Sequence, residues 1–172
     1  EITRRTPLPE FECRALSGLA DVHYMRGHMV SGHHQAEECV ATARKYDLHD
    51  VVINNLSALG NMKYLSQGPR IAREFHETNM SEVIKADQPR AEMIFSINMS
   101  SIFLDSLENE QALKNAQAAV AACERIDALV WLPLMRKQHL RVRHAMGEDV
   151  AAEMKEIATQ AVETSSGLSG PW

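Results

Sequence analysis

Apolar residues recur at every third or fourth position along most of this chain, in stretches of about 14 to 18 residues. This spacing places the apolar side chains on one face of a helix, and it predicts about eight amphipathic α-helices. Val51-Val52-Ile53 resembles a strand, but it lies inside a longer helical pattern and is predicted to be helical. The predicted breaks are Gly27 with Ser31-Gly32, 47–50, Gly68-Pro69, 87–89, Asn109 as a helix cap, 127–133, 147–149 and 165–167.

The helical stretches pair into hairpins that repeat every 40 residues. Small residues allow paired helices to approach to about 8 Å, and a neighbouring large residue fills the space between layers. Because one hairpin cannot hide its apolar face alone, successive hairpins are expected to stack. Three series have the 40-residue spacing: Leu19, Leu59, Met99 and His139; Ala20, Gly60, Ser100 and Leu140; and Gly32, Ala72, Ala112 and Ala152. The pattern has two departures. Leu140 is large where the other hairpins have a small residue. In the second helices, His76 and Glu156 occupy the positions that are Ala36 and Ala116 in the other hairpins.

This pattern resembles tetratricopeptide-type repeats, whose period of about 34 residues is shorter than the one found here. The resemblance implies an all-α, right-handed α-α superhelix of about four such hairpins. We place the repeat domain at residues 10–164, after a linker at 1–9. A tail at 165–172 is expected to begin a further unit of a longer protein.

Composition and charge narrow the choice of partners. The formal net charge is −5, which is poorly suited to binding phosphate backbones, so no nucleic-acid partner is predicted. No apolar run approaches the roughly 18 residues that a transmembrane helix needs, and no signal peptide is evident. The three cysteines lie far apart without a CxxC motif, which indicates reduced thiols. We therefore predict a cytoplasmic protein without a membrane partner.

Two groups of residues have spacings that metal sites use. His33 or His34 shares a helical face with Glu37 or Glu38, at the i, i+4 spacing of metal ligands. A closed zinc site usually needs four ligands, so a solvated helix start explains these residues better. Glu153 and Glu156 lack the Glu-x-x-His pairing of di-iron bundles. We predict no metal and no cofactor.

The cysteines are the candidate nucleophiles. Cys39 and Cys123 fall among alanine and valine, where thiols usually pack as small apolar groups, and no positioned base accompanies Cys13. The methionines at helical spacing are interpreted as core residues, including Met25 and Met62. No catalytic residue is predicted, and we expect that this chain is not an enzyme.

Residues 136–144 form the strongest local charge feature, with four Lys or Arg residues and two His residues in one predicted helix. Lys137, Arg141 and His144 lie along one side of that helix. Such a strip could bind an anion or an acidic peptide. A solvated helix face in an acidic protein is the simpler interpretation, and we favour it.

Several strings carry a closer family resemblance. They are Arg14-Ala15-Leu16-Ser17-Gly18-Leu19-Ala20-Asp21 with Tyr24 and Gly27; Asn54-Asn55 with Leu59-Gly60 and Tyr64-Leu65; Arg90-Ala91-Glu92-Met93; and Gly167-Leu168-Ser169-Gly170-Pro171-Trp172. Together they resemble the C-terminal repeat region of bacterial class III adenylate/guanylate cyclase-like proteins. In that family an AAA-type ATPase domain precedes the repeats. The resemblance implies a non-catalytic scaffold for protein–protein or intramolecular regulatory interactions in signalling. The alternative is the effector-binding sensor region of a nucleotide-binding transcription regulator.

The resemblance also implies where a partner binds. In tetratricopeptide-type stacks the first helix of each hairpin lines a groove. The positions that match are Arg14, Asp21, Tyr24, Asn54, Asn61, Tyr64, Ser101, Lys137, Arg141 and His144. Their hydrogen-bonding, aromatic and charged side chains suit a protein or peptide partner, including another domain of the same polypeptide. A homodimer is a further expectation, because solenoid ends without polar caps tend to associate.

Overall fold

A computed structural model describes the backbone of residues 8–167 and the side chains of 8–160 and 162. Within these residues the chain is all α-helical, without a strand, which confirms the predicted fold class. The helices are α1 (Pro9–Met25), α2 (Met29–Lys45), α3 (His49–Gln67), α4 (Pro69–Lys85), α5 (Pro89–Asp105), α6 (Asn109–Arg125), α7 (Leu132–Ala145) and α8 (Ala151–Gly167). The chain divides into two compact units, Glu1–Ala91 and Glu92–Trp172.

The turns between the helices recur every 20 residues. At six of them one residue adopts a positive φ: Gly27, Asp47, Asp87, Leu107, Asp127 and Gly147. The turn between α3 and α4 departs by one position, because α3 is longer and Gly68 takes its place. Glycine and aspartate tolerate this left-handed conformation better than most residues, which explains all of these positions except Leu107.

The first turn shows how these ends are closed. The Gly27 amide donates to the Tyr24 carbonyl at 3.0 Å, and the His28 amide donates to the His23 carbonyl at 2.9 Å. This pair of bonds is the Schellman motif, which satisfies carbonyl groups that a helix end would leave without partners. The 2.9 Å bond from Leu48 to Ala43 repeats it 20 residues later. One joint therefore serves both within and between hairpins.

In the first unit the predicted small residues lie where helices approach closely. A Cβ atom added at Gly32 of α2 would lie 3.3 Å from the Ala20 carbonyl oxygen and 3.3 Å from the Met62 sulfur. One added at Gly60 of α3 would lie 2.5 Å from the imidazole of His76 on α4. His76 is fully buried. The large imidazole ring of α4 fits there because Gly60 of α3, which faces it, has no side chain.

In the second unit the small-residue series is buried in α6 and ends in α8. Ala112 and Ala116 have no exposed surface, whereas Ala152 and Glu156 of α8 are exposed. A core cluster joins α5, α6 and α7 through Met93, Ala119, Ala122, Cys123 and Met135. Glu153 of α8 is exposed but faces α7, where it accepts a 2.7 Å hydrogen bond from Arg143.

Three expectations about local structure are wrong. Ser31-Gly32 does not break the chain, since α2 begins at Met29 and Gly32 serves close helix packing instead. Asn109 is the first residue of α6 rather than its cap, and the preceding Glu108 makes no side-chain capping bond. Met25 is 81% exposed, so it is not a core residue. Of the predicted linker and tail, residues 1–7 and 168–172 lie outside the described residues, together with most of the closing Gly-Pro-Trp string.

Candidate interaction surfaces

In the first unit, α1 and α3 bring two of the predicted groove residues together. The Asn61 amide donates to the Tyr24 hydroxyl at 3.2 Å, and both side chains are half-buried. Tyr64, one turn further along α3, is half-buried as well. The 40-residue register explains this contact, because Asn61 lies 40 positions after Asp21, which is one helical turn before Tyr24 on the same side of α1. The pair joins two rigid helices at a partly exposed surface.

The other predicted residues of this unit are exposed, and two of them bond within their own helices. Arg14 donates to Glu10 at 2.8 Å and lies 5.9 Å from the centre of the Phe11 ring. Asn54 donates to the Asp50 carbonyl at 2.8 Å. Asp21 is exposed on α1. Arg14 and Asn54 are therefore oriented by contacts within α1 and α3.

In the second unit a buried polar chain holds Arg141. The Gln138 side-chain amide donates to the Ser100 hydroxyl at 3.2 Å, and its oxygen Oε1 accepts from Arg141 at 2.8 Å. Lys137 and His144 are exposed on the same helix, whereas Ser101 donates to the Ile97 carbonyl of its own helix. The Gln138–Ser100 contact was not predicted, although a serine in the small-residue series was a signal that a polar partner lies opposite.

A second group that sequence reasoning missed surrounds Lys63 on α3. Its ammonium group lies 2.8 Å from the Glu37 carboxylate and 2.9 Å from Nε2 of His33, and 5.6 Å from the centre of the Phe75 ring. Hydrogen bonding from Lys63 lowers the pKa of Glu37, while burial and then the Lys63 charge lower the pKa of His33. The ammonium group thus occupies the place that a metal ion between His33 and Glu37 would need.

No group of three or more His, Cys, Asp or Glu side chains within the described part of the chain is arranged to hold a metal ion.

The thiols of Cys13, Cys39 and Cys123 are protonated and buried. Cys13 and Cys39 each donate to the other's carbonyl oxygen, at 3.7 Å and 3.3 Å. Burial raises the pKa of Cys39 to about 12 and also raises the pKa of Cys13 and of Cys123. Since the thiolate is the nucleophile, these groups act as packing residues at neutral pH.

A cavity of about 250 Å³ opens in the second unit between α6, α7 and α8. Its floor is apolar and its rim is charged; the lining residues are Val120, Arg136, His139, Leu140, Arg143, Glu153, Glu156, Ile157 and Gln160. Arg143 donates to Glu148 at 2.8 Å and to Glu153 at 2.7 Å, and these bonds raise its pKa. Burial and then Arg143 lower the pKa of His139. His144 lines a separate depression of about 490 Å³ at the turn into α8.

Neither a scan against protein-family models nor a search of curated proteins finds a match for this chain. The case for a helical-repeat protein therefore rests on the molecule itself, on its eight helices and its regular turns. Among residues 8–167, none of the helices combines the length and the apolar character that crossing a bilayer requires.

Proposed function

We propose that this chain is a non-catalytic helical-repeat scaffold that binds a protein or peptide segment. The observation that supports this most directly is the Tyr24–Asn61 contact in the first unit. It sets an aromatic hydroxyl and an amide beside each other on two neighbouring helices. Tyr64 extends the same side of α3. Hydrogen-bonding and aromatic side chains on rigid helices are the features with which such surfaces bind extended peptides.

The chemistry of the pair fits a peptide backbone. The Tyr24 hydroxyl accepts a hydrogen bond from Asn61 and retains its own proton, which can be donated to a ligand carbonyl group. The amide oxygen of Asn61 can accept from a ligand N–H group. Because both side chains are already half-buried and held by each other, they lose little conformational entropy on binding. This preorganisation raises affinity without requiring a large interface.

A peptide-display selection with the full chain as bait tests this function. The tightest peptide is then measured by calorimetry against a Tyr24→Ala/Asn61→Ala variant and against an Arg73→Ala/Glu77→Ala control on α4. Arg73 and Glu77 form an ion pair between successive turns of α4, at 2.8 Å. We expect the first variant to weaken binding at least about tenfold, because truncating a hot-spot residue at the centre of an interface costs about 2 kcal/mol or more. The control should change the affinity by less than about twofold.

Two results would count against the scaffold function at this surface. One is a selection that yields no peptide above background. The other is a selected peptide whose affinity falls equally in both variants. Circular dichroism of each variant shows that the helices are retained, so that lost binding is not confused with lost folding.

The proposed setting is a cytoplasmic cyclase/ATPase-type signalling protein, on the strength of the residue strings around Tyr24, Gly60 and Met93. The scaffold would then bind another domain of the same polypeptide. The test is the full open reading frame, which should encode a cyclase homology domain and an ATPase domain on the amino-terminal side of this segment. Their absence from that reading frame would leave the scaffold function intact and remove the proposed setting.

The cavity of the second unit favours one other function, that of a sensor for a small polar effector. Its rim offers both cationic and carboxylate side chains over an apolar floor. At about 250 Å³ it is slightly smaller than typical ligand sites. A thermal-shift screen with free amino acids, which carry both charges, is the suitable probe. A rise in melting temperature that Arg136→Ala abolishes would favour the sensor; no shift with any of them would reject it.

A further inference from the structure

The outward side of α1 carries an apolar stripe that the described residues of the first unit, from Leu8 to Ala91, leave uncovered. The stripe consists of Leu8, Phe11, Ala15, Gly18, Leu19, Val22 and Met25, which follow one another at three- and four-residue spacing. Phe11 is 64% exposed. The opposite side of α1 is the one that packs into the unit, through Cys13, Leu16 and Ala20. Both sides of α1 are thus apolar, but only one of them packs against other helices of the unit. The other side is available for a further helix.

The repeat shows what such a stripe is suited to bind. Leu59 and Met62 of α3 occupy the positions that Leu19 and Val22 occupy in α1, 40 residues earlier. In α3 both are buried, and α2 lies against them, with Gly32 placed so closely that an added Cβ would be 3.3 Å from the Met62 sulfur. The stripe of α1 is therefore the type of surface that this fold covers with a helix.

The order of residues along the stripe favours an antiparallel partner of the same sequence. Two small residues, Ala15 and Gly18, lie at its middle with Leu19 at one edge, and the other large residues lie towards both ends. Two α1 helices that cross near Gly18 can approach closely there. Phe11 of one copy then faces Val22 and Met25 of the other, and the reverse holds by symmetry. No neighbouring atom lies within 4 Å of an added Cβ at Gly18, so this middle region is open.

The charges beside the stripe support the same arrangement. Arg14 and Asp21 lie on one edge of it, and both are exposed. In an antiparallel pair centred between residues 17 and 18, Arg14 of each copy faces Asp21 of the other. The acidic first turn, with Glu10 and Glu12, also comes next to the end of the other helix that carries Arg26.

We propose that two copies of this chain associate through α1, in an antiparallel pair related by a two-fold axis. The surface involved is one helix of 17 residues, which is about 25 Å long. Such an interface is smaller than that of most stable complexes, so the dimer is weak, with a Kd of about 10 to 100 μM. This association goes beyond peptide binding, and it is measured without any peptide.

Sedimentation velocity of the full chain, from about 1 to 500 μM, tests the proposal. We expect a concentration-dependent shift from monomer to dimer. Arg14→Glu alone and Asp21→Arg alone should each raise the Kd about tenfold, because each places like charges opposite one another twice. The double variant Arg14→Glu/Asp21→Arg restores opposite charges and should return the Kd to within about threefold of the original. This restoration is specific to antiparallel self-pairing.

A second comparison distinguishes association through the stripe from non-specific hydrophobic association. Met25→Glu should abolish the dimer, whereas Ile84→Glu, which replaces an exposed apolar residue of α4, should leave the Kd unchanged. Circular dichroism confirms that each variant stays helical. A chain that remains monomeric at 500 μM overturns the proposal, as does a dimer that responds equally to Met25→Glu and Ile84→Glu. The same holds if the double charge reversal dimerises no better than the single ones.

Discussion

Replacing Gly60 with alanine is expected to lower the free energy of unfolding by about 1 to 3 kcal/mol, although alanine is the better helix former. The added methyl carbon would lie 2.5 Å from Cε1 and Nε2 of His76, far inside van der Waals contact. Since the His76 ring is fully buried, it cannot swing into solvent to make room. Helices α3 and α4 must therefore move apart. Urea unfolding followed by circular dichroism, at low protein concentration, measures the loss.

The matched control is Gly18→Ala in α1, where nothing lies within 4 Å of the added carbon. Here the same substitution should raise stability by about 0.5 to 1 kcal/mol through helix propensity alone. A third variant, Gly60→Ala in a His76→Ala background, should recover most of the loss because the ring is gone. If Gly60→Ala stabilised the chain as Gly18→Ala does, the packing between α3 and α4 described above would be wrong.

Acidification from pH 7 to pH 4 is expected to weaken the fold through His76 by up to about 3 kcal/mol. Burial lowers the pKa of this imidazole to about 4, from an ordinary value near 6.5 in the unfolded chain. Between these values the unfolded state binds the proton and the folded state does not. Stability is therefore fully present above about pH 6.5 and decreases as the pH falls towards 4.

Unfolding free energies at half-unit pH steps, for the natural chain and for His76→Gln, isolate this contribution. The variant has no titrating group at this position, so the difference between the two curves should shrink steadily from pH 6.5 to pH 4. His33 and His139, whose pKa values burial also lowers, contribute to both curves alike. A difference that stays constant over this range would contradict a neutral, buried His76.

Much of the fold was predictable because helix packing imposes a period on residue size. The 40-residue series located the residues that let helices approach, and Gly60, Ala72 and Ala112 are indeed buried. His76 was recognised only as a departure from the pattern. Its partner, Gly60, could not be identified from the sequence. The sequence shows that residue 76 is large and that residue 60 has no side chain, but it does not show that the two face each other. Their compensation becomes visible only when α3 and α4 are placed together.

The contacts of the surface residues were less predictable, since a long polar side chain can form hydrogen bonds of similar energy with several different partners. The repeat register correctly predicts that Tyr24 and Asn61 lie on corresponding faces, but it does not determine that they bond to each other. Arg14 and Asn54 bond within their own helices, a choice that depends on rotamers rather than on spacing. Met25 was misassigned for another reason: helical periodicity identifies an apolar side without showing whether anything covers it.

The uniform joints of this chain have a consequence for how it can change in evolution. Asp47, Asp87 and Asp127 close their turns with the same left-handed residue, 40 positions apart. A gene segment that encodes the stretch between two such aspartates therefore begins and ends with the same backbone geometry. Duplication or loss of that segment can lengthen or shorten the protein by a whole hairpin without a new kind of connection, so descendants can vary in length while retaining the same local architecture.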